Sequence, residues 1–130
     1  MAAGGSAAGK EPSKQARTKL DEGRRLTRAG DYAAAIATLD AAIGLDAGLA
    51  RAWSERGYAK LLADDLPGAR ADLEAALPLD EGAAFRAAIH YNLGQVAEKS
   101  GDTVAAKAAY EASLALRDHE TVRKALERLR

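Results

Sequence analysis

Small and apolar residues recur every three or four positions from Ser13 to the end of the chain, which is the spacing of one face of an α-helix. Short polar breaks interrupt this pattern, and each contains a glycine or an aspartate, residues that end one helix or cap the next. The breaks lie at 30–31, 46–48, 64–65, 80–82, 101–102 and 117–119. They predict seven helices, at about 13–29, 32–45, 49–63, 66–78, 82–100, 102–116 and 119–129.

Connections this short place successive helices antiparallel. The predicted fold class is therefore all-α, with three helical hairpins and one further helix. Ser13 follows Pro12 and is predicted to cap the first helix.

The three hairpins repeat one another in sequence. Aligned on their turns they begin at Ala16, Ala50 and Ala87, so the first two lie 34 residues apart and the last two 37. Three columns of small residues recur, and two helices can approach closely only where one of them presents no bulk. The columns are Gly23, Gly57 and Gly94; Ala35, Ala69 and Ala106; and Ala42, Ala76 and Ser113.

Three further columns hold larger apolar residues, which we expect to form the core. They are Leu39, Leu73 and Tyr110; Ile43, Leu77 and Leu114; and Leu45, Leu79 and Leu116. A fourth unit begins at Thr121 and stops after one helix, whose apolar face is Val122, Ala125, Leu126 and Leu129. Because the last unit of such an array leaves an apolar face open, we expect this helix to cap it.

The 34-residue period and these columns resemble the tetratricopeptide repeat. Trp53 and Tyr32 stand where that family prefers Trp near the start of the first helix and Tyr before the second. The resemblance covers about 16–120 and implies an α-α superhelix. It divides a domain at 13–130 into repeats at about 16–49, 50–86 and 87–120, with a capping helix at 119–129.

The sequence also departs from the family pattern. Ala47, Glu81 and Asp118 replace the proline that usually ends a repeat, and the first unit is the weakest match. The spacing of 37 residues places three extra residues near 81–85, nearly one helical turn. We therefore predict that the fifth helix starts a turn early, with Asp80 as its N-cap and Phe85 near the junction between repeats.

The resemblance also implies a binding surface, since the first helices of such repeats line a concave groove. Carried onto this chain, the groove positions are Arg17, Leu20, Asp21, Arg24, Thr27 and Arg28; Arg51, Ser54, Glu55, Tyr58, Leu61 and Leu62; and Ala88, Tyr91, Asn92, Gln95, Glu98 and Lys99. Five cations against three anions make this set mildly basic. The predicted peptide-binding residues are Arg17, Arg24, Arg28, Arg51, Tyr58, Tyr91, Asn92, Gln95 and Lys99.

One class of partner is disfavoured by the same comparison. Repeats of this family that bind the acidic tails of chaperones hold the terminal carboxylates with Lys, Asn and Arg at five groove positions. Here those positions carry Leu20, Arg24, Glu55, Ala88 and Asn92. The sequence therefore does not support co-chaperone activity.

Two basic residues fall on a helix face that should pack inward. Arg56 and Lys60 lie there, and we interpret them as long side chains that cover apolar surface while their charges reach outward, with Arg56 pairing to Asp72. A functional role for the two is the alternative.

Composition excludes several partners. Nineteen basic residues balance nineteen acidic ones, so we expect no nucleic-acid partner. Without an apolar run of about 18 residues, we expect no membrane insertion. The absence of cysteine excludes disulfides and thiolate chemistry but fits the cytoplasm and the periplasm equally.

The N-terminus lacks the basic start and apolar core of a signal peptide. Residues 1–12, rich in Ala, Gly and Ser, are predicted to be a flexible tail. We expect a soluble cytoplasmic protein, with a periplasmic or lipid-anchored location as the alternative if a leader was removed. The heavy use of Ala, Arg and Gly is typical of bacterial proteins from GC-rich genomes.

No motif for catalysis, for a metal or for a cofactor emerges, so we predict no enzyme activity and no cofactor. His90 and His119, the only histidines, lie in different units and cannot form a metal pair or a triad together. The acidic pairs at 64–65 and 80–81 are interpreted as helix caps rather than cation ligands.

These observations predict a module that binds a protein or peptide segment in a mildly basic groove, which suits an acidic peptide. A structural scaffold that self-associates or acts through its convex face is the alternative. Self-association is possible but is not predicted.

Overall fold

The computed structural model describes residues 13–80 and 82–130, and this part of the chain is built of α-helices without strands. The helices are α1 (Lys14–Arg28), α2 (Tyr32–Leu45), α3 (Ala50–Leu62), α4 (Leu66–Ala76), α5 (Ala83–Lys99), α6 (Thr103–Leu116) and α7 (Glu120–Arg128), with a 3₁₀ turn, Leu77–Leu79, after α4. The all-α prediction is confirmed, and the predicted ends agree to within two residues. The predicted tail at 1–12 lies outside the described residues.

One serine and three aspartates cap α1, α2, α4 and α6, at positions where the sequence predicts helix starts. The Ser13 hydroxyl accepts a hydrogen bond from the Ala16 amide at 3.0 Å. Asp31, Asp65 and Asp102 cap α2, α4 and α6 in the same way. Each satisfies an amide that has no partner within the helix.

The residue before each of these three caps has a positive φ and closes the turn inside a hairpin. Gly30 and Gly101 have φ of 85° and 82°, which glycine adopts without strain. The equivalent residue of the middle hairpin is Asp64, at 66°. The same turn is therefore built three times, at the spacing of the repeats.

The glycine column sets how closely the two helices of each hairpin approach. A Cβ added to Gly94 would lie 2.3 Å from the Tyr110 ring, and one added to Gly23 would lie 2.5 Å from Leu39. Leu39, Leu73 and Tyr110 are fully buried. Glycine in one helix thus makes room for the largest core residue of the other.

The outermost of the three apolar columns was predicted wrongly. Leu45 and Leu79 are 47% and 41% exposed rather than buried in the core. Leu45 is the last residue of α2, and Leu79 ends the 3₁₀ turn after α4. Both lie where the chain leaves its hairpin, so no helix covers them fully.

The three extra residues of the longer repeat form helix, as predicted. α5 begins at Ala83, which makes it four residues longer than α3. The predicted N-cap is wrong: Gly82 is the capping residue, and Asp80 instead accepts the Gly82 amide at 2.6 Å. Phe85 is buried in a cluster that contains Ala50 of α3 and Ala76 of α4, which places it at the predicted junction.

α7 caps the last hairpin through the apolar face that its sequence predicts. Val122, Ala125 and Leu126 are buried and cluster with Tyr110. At the far end of α7, Arg128 donates to the Glu98 carboxylate at 2.8 Å, and the Tyr110 hydroxyl donates to the same oxygen at 2.6 Å. No helix in the described part of the chain is long and apolar enough to cross a membrane.

Candidate functional site

A groove with a volume of about 720 Å³ crosses the first helices of the three hairpins and opens to solvent. α1 contacts α3, and α3 contacts α5, so these helices form one layer. Side chains three or four residues apart on each helix therefore share the face that lines the groove. The lining residues are Arg24, Thr27, Arg28, Arg51, Ser54, Glu55, Tyr58, Ala84, Phe85, Ala88, Tyr91, Asn92 and Gln95.

Glu55 is the single acidic residue of this lining. Its carboxylate lies 3.5 Å from the Arg24 guanidinium, and Arg28 and Arg51 also act on its charge. Burial nevertheless raises the pKa of Glu55 above its ordinary value, because the loss of hydration outweighs the attraction of the three arginines. Glu55 is therefore a poorly hydrated carboxylate among three cations.

The Arg51 guanidinium lies over an aromatic ring of α5. Its guanidinium carbon lies 5.2 Å from the centre of the Phe85 ring, a distance typical of a cation–π contact. Phe85 belongs to the extra first turn of α5. The irregular spacing of the repeats thus supplies a residue of the groove wall, and Ala84 and Phe85 are the lining residues that the regular repeat pattern missed.

Aromatic and amide side chains line the remaining wall. The Gln95 amide donates to the Tyr91 hydroxyl at 3.3 Å, and the Tyr91 ring lies 5.7 Å from that of Tyr110. Tyr58 is 37% exposed and presents its ring to the opening. This wall offers flat amphipathic surfaces and amide groups that can bond to a peptide backbone.

The structure brings together most, but not all, of the predicted binding residues. Arg24, Arg28, Arg51, Tyr58, Tyr91, Asn92 and Gln95 line the groove. Arg17 and Lys99 do not belong to the lining, and the Lys99 ammonium instead lies 3.4 Å from Asp64 in the turn of the middle hairpin.

Five further groove positions implied by the repeat pattern also lie outside the lining, namely Leu20, Asp21, Leu61, Leu62 and Glu98. Leu20 and Leu61 are only 6% and 3% exposed and belong to the apolar core, because their positions border the interface with the second helices. Glu98 faces α7, where it accepts hydrogen bonds from Tyr110 and Arg128.

A buried ion cluster lies on another face of α3. Asp72, 3% exposed, accepts two hydrogen bonds from Arg56 at 2.8 and 2.7 Å, and the Lys60 ammonium lies 3.0 Å away. The predicted pair of Arg56 and Asp72 is confirmed. Arg56 also bonds to Asp40 of α2 at 2.7 Å, a contact between hairpins that the sequence did not indicate. The guanidinium further lies 5.0 Å from the centre of the Trp53 ring.

Neither histidine takes part in a cluster of potential ligands. His90 is half-buried, and burial together with the charge of Arg86 lowers its pKa. His119 caps α7, with its Nδ1 accepting from the Thr121 amide at 3.2 Å. Among residues 13–80 and 82–130, no three His, Asp or Glu side chains come together as metal ligands would.

Comparison with known proteins identifies the repeat. A family model described as a tetratricopeptide repeat matches residues 87–119, which correspond to the third unit. No curated protein matches the sequence of the chain significantly.

Solved tetratricopeptide-repeat domains share the fold. The second such domain of human RPAP3, solved in complex with an HSP70 peptide, is 24% identical with a TM-score of 0.81, over 92% of this chain and 98% of that one. The domain of Sgt2 from Aspergillus fumigatus is 21% identical with a TM-score of 0.82, over 91% and 78%.

A third similar structure is the second domain of Spaghetti (RPAP3), bound to the HSP90 peptide SRMEEVD. It is 26% identical with a TM-score of 0.72, over 80% of this chain and 94% of that one. Peptides are thus bound by two of the three domains described.

Proposed function

Since the chain folds as a stack of tetratricopeptide repeats, we propose that it is a non-enzymatic interaction module whose groove binds an acidic peptide segment of a partner protein. The observation that carries this proposal is the charge of the groove, where three arginines surround one glutamate. The whole chain has no net charge. The excess of positive charge is confined to this one surface. It therefore favours an acidic segment that fits the groove, and a protein without net charge does not attract large polyanions such as nucleic acids.

Two of the arginines are available to a ligand. Arg24 is engaged by Glu55, whereas no acidic side chain in the described part of the chain lies within salt-bridge distance of Arg28 or Arg51. Both are exposed, and Phe85 holds the Arg51 guanidinium in place from below. A guanidinium pairs with a carboxylate through two parallel hydrogen bonds, so these two side chains suit the acidic residues of a peptide.

The opposite wall suits the backbone and the apolar parts of the same peptide. Tyr58 and Tyr91 provide ring faces, and Asn92 provides an amide donor and acceptor. Aromatic residues bury a large area at a low cost in conformational entropy, which makes them frequent anchors of interfaces. The groove thus combines charge selection with a surface that binds extended chain.

The ligand we propose differs from the chaperone tails bound by the similar domains. Of the five positions that hold such tails, Glu55 carries the wrong charge, Ala88 has no polar group and Leu20 is buried. The peptide SRMEEVD, bound by Spaghetti, is therefore a suitable specificity control. We expect it to bind more weakly than acidic peptides whose carboxylates lie within the segment.

The proposal is tested by reversing the charge of the groove. Binding of fluorescent glutamate-rich peptides is measured by anisotropy, with glutamine-rich peptides of equal length as the uncharged comparison. We expect R24E/R28E to weaken binding of the acidic peptides by about tenfold or more, since attraction becomes repulsion. The matched control R25E/R70E makes the same change in net charge at two exposed residues outside the groove and should leave the affinity within about twofold. Equal losses in both variants, or none in R24E/R28E, would contradict the proposal.

Self-association is the second candidate function, and Leu45 is the observation that favours it. This exposed side chain at the end of α2 lines a depression together with Lys14, Gln15, Thr18 and Lys19 of α1. The surroundings are polar, which makes this surface a weaker candidate than the groove. Light scattering at high micromolar concentration decides: a strict monomer would exclude self-association, whereas a dimer lost in Leu45→Lys would support it.

A further inference from the structure

A second cleft extends the groove towards α7. Its volume is about 290 Å³, and its walls come from α5, the end of α6 and the start of α7. Ala84, Ala88 and Tyr91 line both the cleft and the groove. A peptide lying in the groove can therefore place one side chain in the cleft.

The repeats themselves show what kind of side chain fits this place. Ala76 of α4 and Ser113 of α6 correspond at a spacing of 37. Counted on from these second helices, Phe85 and Val122 each lie nine residues further along the chain, as the third residue of α5 and of α7. Phe85 is buried in the same cluster as Ala50 and Ala76, whose counterparts here are Ala87 and Ser113. One unit earlier, an aromatic ring occupies the place that the cleft occupies here.

The cleft exists because two positions are smaller in the later unit. Val122 stands in place of Phe85, and Ala88 stands in place of Arg51, whose guanidinium lies over the Phe85 ring. Together these replacements remove an aromatic ring and the long side chain above it. The space that remains is open to the groove.

The walls of the cleft are mainly apolar. Ala84, Ala87 and Val122 contribute methyl groups, and the Ser113 hydroxyl is already used, since it donates to the Ala87 carbonyl at 2.8 Å. Apart from Tyr91, the remaining charged and polar residues of the lining are Arg117, His119 and Thr121, and all three are exposed. A buried ligand atom would therefore meet apolar surface, and a charged side chain would find no buried partner.

We propose that this cleft binds an aromatic side chain of the peptide that the groove binds. The inference rests on the proposed function and narrows the ligand to an acidic segment that carries a phenylalanine-like anchor. The aromatic ring takes the place that Phe85 has one unit earlier, while the acidic residues lie against Arg28 and Arg51. Specificity then comes from two features of the peptide at once.

The experiment compares glutamate-rich peptides in which phenylalanine is placed at successive positions with the same peptides carrying alanine. In the unaltered chain we expect at least one phenylalanine position to bind about tenfold tighter than its alanine counterpart, the gain typical of burying one large apolar side chain. Val122→Phe fills the cleft with the residue that the preceding unit uses. It should abolish this gain and leave the affinity for the alanine peptide within about twofold.

Thr121→Leu narrows the cleft from an exposed helix position that does not line the groove, and it serves as the second variant if Val122→Phe folds poorly. Circular dichroism establishes folding for both. Equal affinity for the phenylalanine and alanine peptides would contradict the proposal that the cleft binds an aromatic side chain, and so would a gain in affinity that persists in both variants. Neither result would contradict binding of acidic peptides in the groove. Failure of every acidic peptide to bind would instead overturn the proposed function, and the inference with it.

Discussion

At the scale of single residues, Asp72 makes the most consequential contacts. It is nearly fully buried, and its two carboxylate oxygens are bonded to Arg56 and approached by Lys60. A buried ion pair adds little compared with an apolar pair of the same shape, but the loss of one partner leaves the other charged without compensation. The cluster is therefore sensitive to any change in one member.

We expect Asp72→Asn to lower the free energy of unfolding by about 2–4 kcal/mol, because it leaves two cations next to a neutral amide. Chemical denaturation measures the change. Asp40→Asn is the matched control, since the Asp40 side chain bonds to the same arginine but is 56% exposed. It should cost less than about 1 kcal/mol. If the two substitutions lowered the free energy of unfolding equally, burial of Asp72 would not be the reason for the loss of stability.

At the scale of helices, the close approach of α5 and α6 depends on the absence of a side chain at Gly94. The Tyr110 ring fills the space that a Cβ would need. Tyr110 cannot move freely, because its hydroxyl is held by Glu98. Burial and this hydrogen bond also raise the pKa of Tyr110, so the phenol remains protonated as a donor.

We expect Gly94→Ala to destabilise the protein by about 1–3 kcal/mol, although alanine is the better helix former, since the methyl group forces the two helices apart. Gly44→Ala is the control within α2, where a Cβ would meet no atom within 4 Å. It should raise the stability by up to about 1 kcal/mol. Thermal unfolding of both variants separates the contribution of helix packing to stability from that of helix propensity. A higher stability of Gly94→Ala would contradict the packing argument.

At the scale of the whole molecule, charge is balanced overall but unevenly distributed. Nineteen acidic and nineteen basic residues cancel, while the groove holds three arginines and only Glu55. The proposed selectivity for acidic peptides is therefore a property of one surface. Glu55 determines how strong this selectivity is, because its ionised carboxylate lowers the net positive charge of the groove by one.

We expect Glu55→Gln to tighten binding of glutamate-rich peptides about threefold to tenfold at neutral pH. Burial raises the pKa of Glu55, so the unaltered side chain takes up a proton at a higher pH than an ordinary glutamate, and it then resembles glutamine. The affinity ratio of the two proteins should therefore approach one as the pH falls through that raised pKa. The peptide glutamates have ordinary pKa values, so the ratio should begin to fall at a higher pH than that at which the peptide loses its charge. A ratio that does not change with pH would contradict this role of Glu55.

The sequence by itself determined the helices, their pairing and most of the groove lining. Helix faces, caps and turns depend on residues within a few positions of one another, and repetition at Gly23, Gly57 and Gly94 shows where helices meet. Groove positions such as Arg24 and Tyr91 follow from the resemblance to the tetratricopeptide repeat, which implies that they line a concave face.

Only the tertiary structure decided which of the border positions are buried and which residues meet across units. Leu20 and Leu61 face the core because neighbouring helices cover the edge of their own helix, and helical periodicity cannot show where that edge lies. Arg56 reaches Asp40 across a hairpin boundary. The extra turn of α5 places Phe85 under Arg51, and the smaller Val122 leaves a cleft at the corresponding place. These features depend on distances between helices, which are fixed by packing and not by the local spacing of residues.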